Sequence, residues 1–464
     1  MRKSVSRDKA AFLDRHRTFF PFANFGRYPH ATRNAPPDAG LMHVGLSGSI
    51  RRTVEILRGG RAGAYRVTEG EKTTGTTEAG ELLTVLVTDQ DKYWVQSARG
   101  IKGWLERGAV ASLADAEAIY AQLIRANPRN PVHYERRALI WLQNGQTDKL
   151  LADYNLAVQL GSKNSAVYVN RGVHWATQGE FDKAIADYDM AQRLGVAEPY
   201  LFVNRGVAQL AAGRADKAVG DFSAAIDRGE KSASIYLNRA SAYLAAHEEI
   251  KAIDDLAEAI RLEPKNAAAY HQRGMVWQAM ENWDQALADF DQALQLNPKH
   301  IPSFSSRGFL WFQRKEPAKA IADFDQVIQL NPKAAVAYNN RGYNRQLLQK
   351  YQEALADYEA AIRLAPKYVL AHQNKAWLLA TCPEAAIRDG KQAVEAARTA
   401  CELGQWKQWP DLKTLAAAYA ESGDFAQAIQ WQSKVLEMAP EDEQAEEQKA
   451  LQSYKSSEPW RDVP

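Results

Sequence analysis

The 464-residue chain has little of what an enzyme or a membrane protein needs. Only two cysteines occur, Cys382 and Cys401, so they cannot by themselves form a disulfide framework or a thiolate zinc site, and we expect a reduced, apolar pair. The nine histidines are not spaced as metal ligands are, and no apolar run approaches the roughly 20 residues that cross a bilayer. The sequence also lacks a Ser/His/Asp or Cys/His set and a phosphate-binding glycine loop. We therefore expect no enzyme, no cofactor, no metal site and no transmembrane segment.

Positive charge is concentrated at the start of the chain. Residues 1–63 carry twelve Lys/Arg and four Asp/Glu, a net charge of +8, whereas the remainder carries −6. This segment is rich in Pro, Gly and Arg without clear periodicity, which predicts a basic, disordered N-terminal segment. Such tails can contact nucleic acid or acidic lipid, but most are only solvated, and we expect no nucleic-acid partner. No signal peptide is visible. The sequence as it stands indicates a cytoplasmic protein, with an exported or periplasmic one as the alternative if the true start differs.

Residues 64–113 have the pattern of short strands. Glu81 to Val87 (ELLTVLV) is apolar and β-branched, Lys92 to Ser97 (KYWVQS) alternates after a DQD turn, and GIKGWLE follows. Short strands with tight turns predict a small β-barrel. The order of these segments resembles bacterial SH3-like domains, whose closing strand carries a Gly-Trp pair, and Gly103 and Trp104 match that pair. The resemblance implies attachment to cell-wall material or to another protein. It does not imply polyproline binding, because the aromatic-acidic motif of eukaryotic SH3 domains is not present.

From residue 131 onward the sequence repeats every 34 residues. Position 1 of each repeat is taken at Pro131, Ser165, Pro199, Ala233, Ala267, Ile301 and Ala335. Position 8 is small: Ala138, Gly172, Gly206, Ala240, Gly274, Gly308 and Gly342. Position 4 is aromatic, position 20 is usually Ala, position 24 is aromatic or Leu, and proline closes the later repeats. This pattern predicts two amphipathic helices per repeat that pack closely at the small residue.

The spacing of small, aromatic and proline residues resembles that of the tetratricopeptide repeat. The resemblance implies a mainly α fold, an α-solenoid in which helix pairs form a right-handed superhelix, preceded here by the small SH3-like barrel. Seven repeats keep their register, an eighth contains a six-residue insertion near residues 381–390, and a ninth closes on Pro440, so that about nine repeats occupy residues 131–442. We expect a linking and capping helix at residues 114–130 and a C-terminal capping segment at residues 443–464. The combination resembles bacterial proteins that fuse such a barrel to such an array.

One arginine and one aspartate recur in every repeat. Arginine occupies position 7 at Arg137, Arg171, Arg205, Arg239, Arg273, Arg307 and Arg341. Aspartate occupies position 23 at Asp153, Asp187, Asp221, Asp255, Asp289, Asp323 and Asp357. An RNA-binding surface needs uncompensated positive charge, and an active site is made once rather than seven times. We therefore predict structural ion pairs between neighbouring helices, for which the planar guanidinium is well suited.

The tetratricopeptide resemblance also implies a binding surface. It places positions 2, 5, 6, 9, 12 and 13 of each first helix on the concave wall of the array. Carboxamides at position 6 could bind the main chain of an extended peptide, or they could bond locally. They are Asn170, Asn204, Asn238, Gln272, Asn340 and Asn374. Position 2 and 5 side chains offer no Lys, so a carboxylate clamp is not expected.

Aromatic residues accumulate on the same wall toward the C-terminus. They are Phe309, Tyr343 and Trp377 at position 9, and Phe312 at position 12. An apolar patch on an inner wall usually indicates a partner, although these rings could instead pack on the next repeat. The first hypothesis is therefore a non-enzymatic scaffold that binds an extended peptide or protein segment. The alternative is an envelope-attachment protein, in which the SH3-like barrel binds cell-wall material or a protein and the repeats act as spacer or docking unit.

Overall fold

The computed structural model describes seven short strands and the continuous chain from residue 115 to residue 462. The strands are β1 Val54–Leu57, β2 Tyr65–Glu69, β3 Lys72–Thr77, β4 Leu82–Thr88, β5 Lys92–Ser97, β6 Lys102–Glu106 and β7 Val110–Ser112. The disorder predicted for residues 1–53 lies outside the described residues. β1, however, falls within the segment that was predicted to be disordered. Its four residues, VEIL, are too few to show a strand alternation between the flanking arginines and glycines.

The strands form one antiparallel sheet in the order β3-β2-β6-β5-β4-β1-β7. Along β5 and β6, Tyr93 pairs with Leu105 and Trp94 pairs with Trp104. Tyr93, Val95 and Leu105 are buried, as the twofold alternation of side chains along a strand requires. Among the described strands, β3 and β7 stand at the two ends of the order. Closure of this sheet into a barrel therefore stays a prediction.

Twenty helices follow the sheet within the described residues. They are α1 Ala116–Ala126, α2 Pro131–Gln143, α3 Thr147–Gln159, α4 Ser165–Thr177, α5 Phe181–Arg193, α6 Pro199–Ala211, α7 Ala215–Asp227, α8 Ala233–Ala245, α9 Glu249–Leu262, α10 Ala267–Ala279, α11 Trp283–Leu296, α12 Ile301–Gln313, α13 Pro317–Leu330, α14 Ala335–Leu347, α15 Tyr351–Leu364, α16 Val369–Thr381, α17 Gly390–Leu403, α18 Trp409–Glu421, α19 Phe425–Met438 and α20 Gln444–Lys455. The even-numbered helices from α2 to α18 are the first helices of their pairs. None of the described helices is both long and apolar enough to span a membrane.

Local sequence sets where these helices begin. Asn130 and Asn164 cap α2 and α4, because their side chains accept hydrogen bonds from the backbone N–H of Val132 and Ala166, both at 3.1 Å. Proline occupies the first position of α2 and α6, where its missing N–H costs nothing. The first helices from α2 to α16 begin 34 residues apart, which is the period of the sequence repeat.

Small residues at position 8 allow the two helices of a pair to approach closely. A Cβ atom added to Gly172 would lie 2.8 Å from the ring of Tyr188, and one added to Gly274 would lie 2.8 Å from the ring of Phe290. Real Cβ atoms do not approach a ring so closely, so an added methyl group would displace the aromatic side chain. The close packing of the two helices at the small residue, which the sequence predicts, is confirmed in these pairs.

The eighth helix pair contains the extra residues. α16 and α17 are joined by eight residues, Cys382–Asp389, whereas three residues join the two helices of the other pairs. Asp389 ends the connection by capping α17, accepting a hydrogen bond from the backbone N–H of Gln392 at 2.9 Å. The two cysteines flank this region, and both are free and buried, as predicted.

The chain separates between Ala252 and Ile253 into two compact units. In the unit that ends at Ala252, the main apolar cluster includes Tyr168, Tyr188, Phe202 and Phe222. In the unit that begins at Ile253, α20 covers the last helix pair. Its Ala450 and Tyr454 pack against Ala416, Ala420 and Ala428 of α18 and α19.

Candidate peptide-binding site

The recurrent arginines and aspartates form ion pairs within their own helix pairs. Six pairs join position 7 to position 23, with nitrogen–oxygen distances of 2.6 to 2.8 Å: Arg137–Asp153, Arg171–Asp187, Arg205–Asp221, Arg273–Asp289, Arg307–Asp323 and Arg341–Asp357. The aspartates are buried, and most of the contacts are bidentate. The predicted ion pairs are confirmed at these six places.

Most of these guanidinium groups also bond the preceding repeat, a contact that sequence reasoning missed. Arg205 donates to Asp189 at 2.7 Å and Arg341 donates to Asp325 at 2.6 Å. The acceptors stand at position 25, and the further ones are Asn155, Ser223 and Asp291. The signal was available, because position 25 is polar in nearly every repeat. One arginine therefore joins three helices: its own, its pair partner and the second helix of the repeat before.

Burial opposes the arginine in setting the ionisation of these carboxyl groups. Removal from water raises the pKa of Asp187 and Asp323 above the ordinary value, although Arg171 and Arg307 act to lower it. The hydrogen bond to Asp289 is the main cause that raises the pKa of Arg273. The pairs hold helices together at the expense of desolvating both groups.

The carboxamides at position 6 lie mostly inside the array. Asn170, Asn204, Asn340 and Asn374 are at most 2% exposed, Asn238 is half-buried, and Gln272 is exposed. The six side chains therefore do not form one continuous, open column.

Local hydrogen bonds account for several of the buried amides. Asn170 donates to the hydroxyl of Tyr154 at 3.4 Å, and Asn374 donates to Oδ1 of Asn339 at 2.9 Å. Asn339 in turn donates to Oδ1 of Asn340 at 3.3 Å. These contacts favour the local-bonding alternative, in which the amides bond side chains of their own or of neighbouring helices.

The four aromatic residues predicted for the binding surface fall into two clusters. Phe309, Phe312 and Tyr343 belong to one cluster, with ring centroids 6.1 Å apart for Phe309 and Phe312 and 5.6 Å apart for Phe312 and Tyr343. Phe312 is buried, while Phe309 and Tyr343 are half-buried. Trp377 lies apart from them, half-buried on α16. Phe309, Tyr343 and Trp377 thus pack partly on their neighbours and keep some exposed surface, whereas Phe312 is enclosed.

An extended segment of the chain itself lies against α16 and its neighbours. We call residues Pro459–Asp462 the tail segment; it follows α20 and is neither helix nor strand. The backbone N–H of Asp462 donates to the carbonyl of Thr381 at 2.9 Å. The guanidinium of Arg461 donates to the carbonyl of Ala380 at 3.2 Å. Sequence reasoning assigned this segment to the cap and did not foresee that it reaches the inner positions 12 and 13 of α16.

The Asp462 carboxylate sits among donors from three first helices. The indole Nε1 of Trp377 donates to it at 3.2 Å, and the side-chain amide of Gln346 also hydrogen-bonds it. The ammonium of Lys413, which pairs with Glu447 at 2.5 Å, lies 5.5 Å from the centroid of the Trp377 ring and acts on Asp462 as a nearby positive charge. Burial raises the pKa of Asp462, while the hydrogen bond from Trp377 and the charge of Lys413 act to lower it. The site therefore accommodates a carboxylate.

The Arg461 side chain points to a separate acidic site. Its guanidinium lies 2.7 Å from Glu421, the last residue of α18. Glu421 also accepts a hydrogen bond from Arg388 at 3.0 Å, and Arg388 donates to the carbonyl of Cys382 at 2.8 Å. We call the surface that contacts the tail segment the groove. The end of α18 and the inserted connection lie near Arg461 in it, and Gln346, Trp377 and Lys413 lie near Asp462.

The described residues hold no candidate metal site. Within residues 115–462 and the described strands, no group of three His, Cys, Asp or Glu side chains is placed to hold a metal ion. Burial raises the pKa of Cys401 to about 12, which keeps that thiol protonated and poorly nucleophilic. The arrangement is suited to holding a polypeptide segment by hydrogen bonds and charge.

Comparison with known families agrees with the helix pairs. Models described as tetratricopeptide repeat match residues 109–165, 203–267 and 310–369, residues 278–339, and residues 414–442. Together these matches span more than half of the chain. The chain belongs to the tetratricopeptide-repeat proteins.

Several solved structures are similar to this chain in fold. The C-terminal part of a TPR repeat-containing protein from Cytophaga hutchinsonii is 18% identical, with a TM-score of 0.45 over 52% of this chain and 96% of that one. A tetratricopeptide repeat protein from Parabacteroides merdae is 19% identical, with a TM-score of 0.41 over 63% and 100%. Yeast Tom70 is 17% identical, with a TM-score of 0.37 over 74% and 92%. No curated protein matched the chain by sequence.

Proposed function

We propose that this protein is a non-enzymatic interaction scaffold that binds an extended protein segment on the inner face of α14, α16 and α18. The tetratricopeptide fold supports a role in protein–protein interaction. The specific proposal rests on one observation, the hydrogen bonds between α16 and the tail segment. Side chains at inner positions and two main-chain carbonyls together bind an extended stretch of polypeptide.

The chemistry of this surface suits a peptide better than a small molecule. The carbonyls of Ala380 and Thr381 can accept hydrogen bonds from any main chain or side chain that passes them. The indole of Trp377 offers both an apolar face and a polar N–H, which is typical of residues that dominate the free energy of an interface. Main-chain bonds would supply affinity, and the side-chain sites would supply selectivity.

The predicted site residues take different roles in this proposal. Trp377 contacts the bound segment directly, and Tyr343, Phe312 and Phe309 extend the apolar surface along α14 and α12. The asparagines and Gln272 belong to the proposal as elements that shape the first helices. Asn374, for example, links α16 to α14 through Asn339.

The proposal predicts that a single ring controls binding. Peptides of nine residues, selected from a displayed random library against the full-length chain, should lose at least tenfold affinity when Trp377→Ala is introduced, because a buried aromatic anchor contributes about 2 kcal/mol or more. Fluorescence anisotropy with labelled peptides measures this change.

Trp311→Ala is the matched control for that experiment. Trp311 occupies position 11 of α12, where Lys319 lies 4.4 Å from its ring centroid. Trp311→Ala also removes an indole, and it should leave peptide affinity unchanged. Selected peptides that bind the Trp377→Ala chain as tightly as the wild type would show that the inner face of α16 is not the site.

We also propose that residues 64–113 form an SH3-like barrel. Its support is the antiparallel pairing that joins strands β2 to β6 and the edge contact of Trp94 with Trp104, whose ring centroids are 5.4 Å apart. Such a domain would allow attachment to cell-wall material or to a protein, the alternative function. Co-sedimentation of the full-length chain with purified peptidoglycan tests it. The alternative predicts binding that Trp377→Ala does not change, and a chain that stays in the supernatant would contradict it.

A further inference from the structure

The insertion in the eighth helix pair changes how a first helix ends. In α12, the three-residue turn to the next helix satisfies the last carbonyls locally, since Lys315 N–H bonds the carbonyl of Phe312 and Glu316 N–H bonds that of Trp311. In α16 the chain instead continues into Cys382–Asp389. Backbone N–H groups of this connection bond the carbonyls of Leu378 and Leu379.

The next two carbonyls of α16 are bonded by the tail segment. Ala380 accepts from the guanidinium of Arg461, and Thr381 accepts from the backbone N–H of Asp462. The last carbonyls of a helix need partners from outside the helix. The longer connection therefore exposes main-chain acceptors at the inner face, which is what an extended ligand requires.

The two side chains of the tail segment meet opposite charges on opposite sides of the groove. Arg461 and Asp462 reach different partners. Arg461 meets Glu421, which is half-buried at the end of α18. Asp462 meets Trp377, with the positive charge of Lys413 nearby. Exchanging the order of the two residues would place a carboxylate against Glu421 and would replace the carboxylate that accepts from Trp377 with a guanidinium, which cannot accept, so the groove can distinguish one order from the other.

These contacts are not needed to cover the end of the array. α20 already packs Ala450 and Tyr454 on the last helix pair, and the ring of Trp460 adds to the same apolar cluster. Arg461 and Asp462 lie beyond that cluster and contribute polar contacts with main-chain and charged groups. They are bound in the manner of a ligand rather than as core residues.

We propose that Arg461–Asp462 is an intramolecular ligand of the groove, and that a protein partner binds there by presenting an arginine followed directly by an acidic residue in an extended segment. This inference rests on the proposed function, because it names the partner chemistry and the regulation of that same groove. A partner gains access by displacing the tail segment.

Simple competition sets the size of the effect. A short tether gives an effective concentration of millimolar order. If the isolated tail sequence binds the empty groove with a dissociation constant of about 0.1 mM, self-occupancy weakens binding of the same sequence from solution about tenfold. Releasing the tail segment from the groove should therefore tighten binding of the same sequence from solution about tenfold.

The test uses the full-length chain and a labelled peptide of the tail sequence. The probe is Ser-Ser-Glu-Pro-Trp-Arg-Asp, residues 456–462, acetylated and amidated so that no new terminal charge is added. Asp462→Lys places a second positive charge beside Lys413 and should release the tail. Glu458→Lys makes the same change of charge at an exposed residue and is the matched control. The control peptide has the same composition with its last two residues exchanged.

We expect the probe to bind Asp462→Lys at least tenfold more tightly than it binds the wild type or Glu458→Lys. The exchanged peptide should bind Asp462→Lys at least tenfold more weakly than the probe. Arg461→Glu, which opposes Glu421, is a second releasing variant with the same expected gain. Hydrogen exchange at the amides of α18 and α19 shows whether each variant keeps its last helix pairs.

The outcomes separate this inference from the proposed function. Equal affinity of the probe for the wild type and both releasing variants would show that the tail does not compete, and equal affinity of the two peptides would show that charge order is not recognised. Either result, with library peptides that still depend on Trp377, overturns the inference alone. Library peptides that bind the Trp377→Ala chain as tightly as the wild type would overturn the proposed function as well.

Discussion

The helix pairs of residues 131–232 and those of residues 267–368 build the same unit with different turns. In the first group, position 15 is glycine with φ between 67° and 79°: Gly145, Gly179 and Gly213. In the second group, position 15 is Glu281, Lys315 and Gln349, with φ between 58° and 60°. The first group ends its second helices after 13 residues with glycine, and the second group ends them after 14 residues before proline.

The contacts between the two helices of a pair do not differ in this way. The Arg–Asp distance is 2.7 Å for Arg137 and 2.8 Å for Arg273. A left-handed turn can be made by glycine or, with some strain, by another residue, and a helix can be stopped by glycine or by proline. Fewer combinations of residues can form the packing contact between helices, because a guanidinium, a buried carboxylate and a small residue must meet at fixed spacing.

The inner faces of the two groups differ as well. Position 9 is Leu139, Val173 and Val207 in the first group, and Val173 is buried. In the second group and the pair that follows it, position 9 includes Phe309, Tyr343 and Trp377, all half-buried. Features that both groups share stabilise the array, whereas those confined to one group are where a binding function can reside.

The largest expected effect concerns the shared ion pair. Arg273→Ala removes both described hydrogen bonds to the buried Asp289 and should lower the free energy of unfolding by about 2 to 3 kcal/mol, below the full cost for a buried pair because the arginine is partly exposed. Arg137→Ala should cost about 1 kcal/mol less, because Trp141 also donates to Asp153 at 2.8 Å.

Hydrogen exchange at the amides of each helix pair measures both losses, since repeat arrays open in local units. The double variant with Asp289→Ala should cost less than the sum of the two single changes. Equal losses for Arg273→Ala and Arg137→Ala would show that Trp141 does not support its aspartate.

A smaller effect is expected from acid, and it should fall on the second group. Burial, followed by the positive charge of His300, lowers the pKa of His271 to about 4. Between pH 6.5 and about 4 the unfolded chain therefore binds a proton at His271 that the folded chain does not, so the free energy of unfolding falls as pH falls through this window. We expect a loss of about 1 to 2 kcal/mol at pH 4.5, discounted because the ring is partly exposed.

Denaturation at pH 7 and pH 4.5 measures this loss, and His271→Gln should reduce it. His247→Gln is the control, since His247 is exposed in the turn between α8 and α9. An unchanged pH dependence in His271→Gln would assign the acid sensitivity to other groups.

The smallest expected effect tests the turns directly. Gln349→Gly should raise the free energy of unfolding by about 0.5 kcal/mol, because relief of the left-handed strain is partly offset by the greater freedom of glycine in the unfolded chain. The reciprocal change, Gly179→Gln, should lower it by a similar amount. A Cβ atom at Gly179 would meet nothing within 4 Å, so backbone strain is the only cost. A larger loss in urea titration would mean that the two turns are not equivalent.

Much of the helical array could be predicted from the sequence. The 34-residue period determined the position of the first helices, the Gly-to-aromatic spacing determined the close contact within each pair, and the position 7 and 23 charges determined the ion pairs. These features recur in each repeat, so each repeat provided independent evidence for the same contacts between helices. β1 was missed for the opposite reason, since four residues occurring once carry no such pattern.

The candidate site depended on contacts between distant parts of the chain. The sequence shows which residues build the helix pairs, because these follow from helical periodicity, whereas the inner position of Trp377 is what the tetratricopeptide resemblance implies. Only the tertiary structure decided that the amides of Asn170, Asn204, Asn340 and Asn374 are enclosed, and that Asp462 bonds Trp377, 85 residues earlier in the chain. Burial and contacts of this kind depend on how successive helices and the tail segment meet in space, and no local period encodes them.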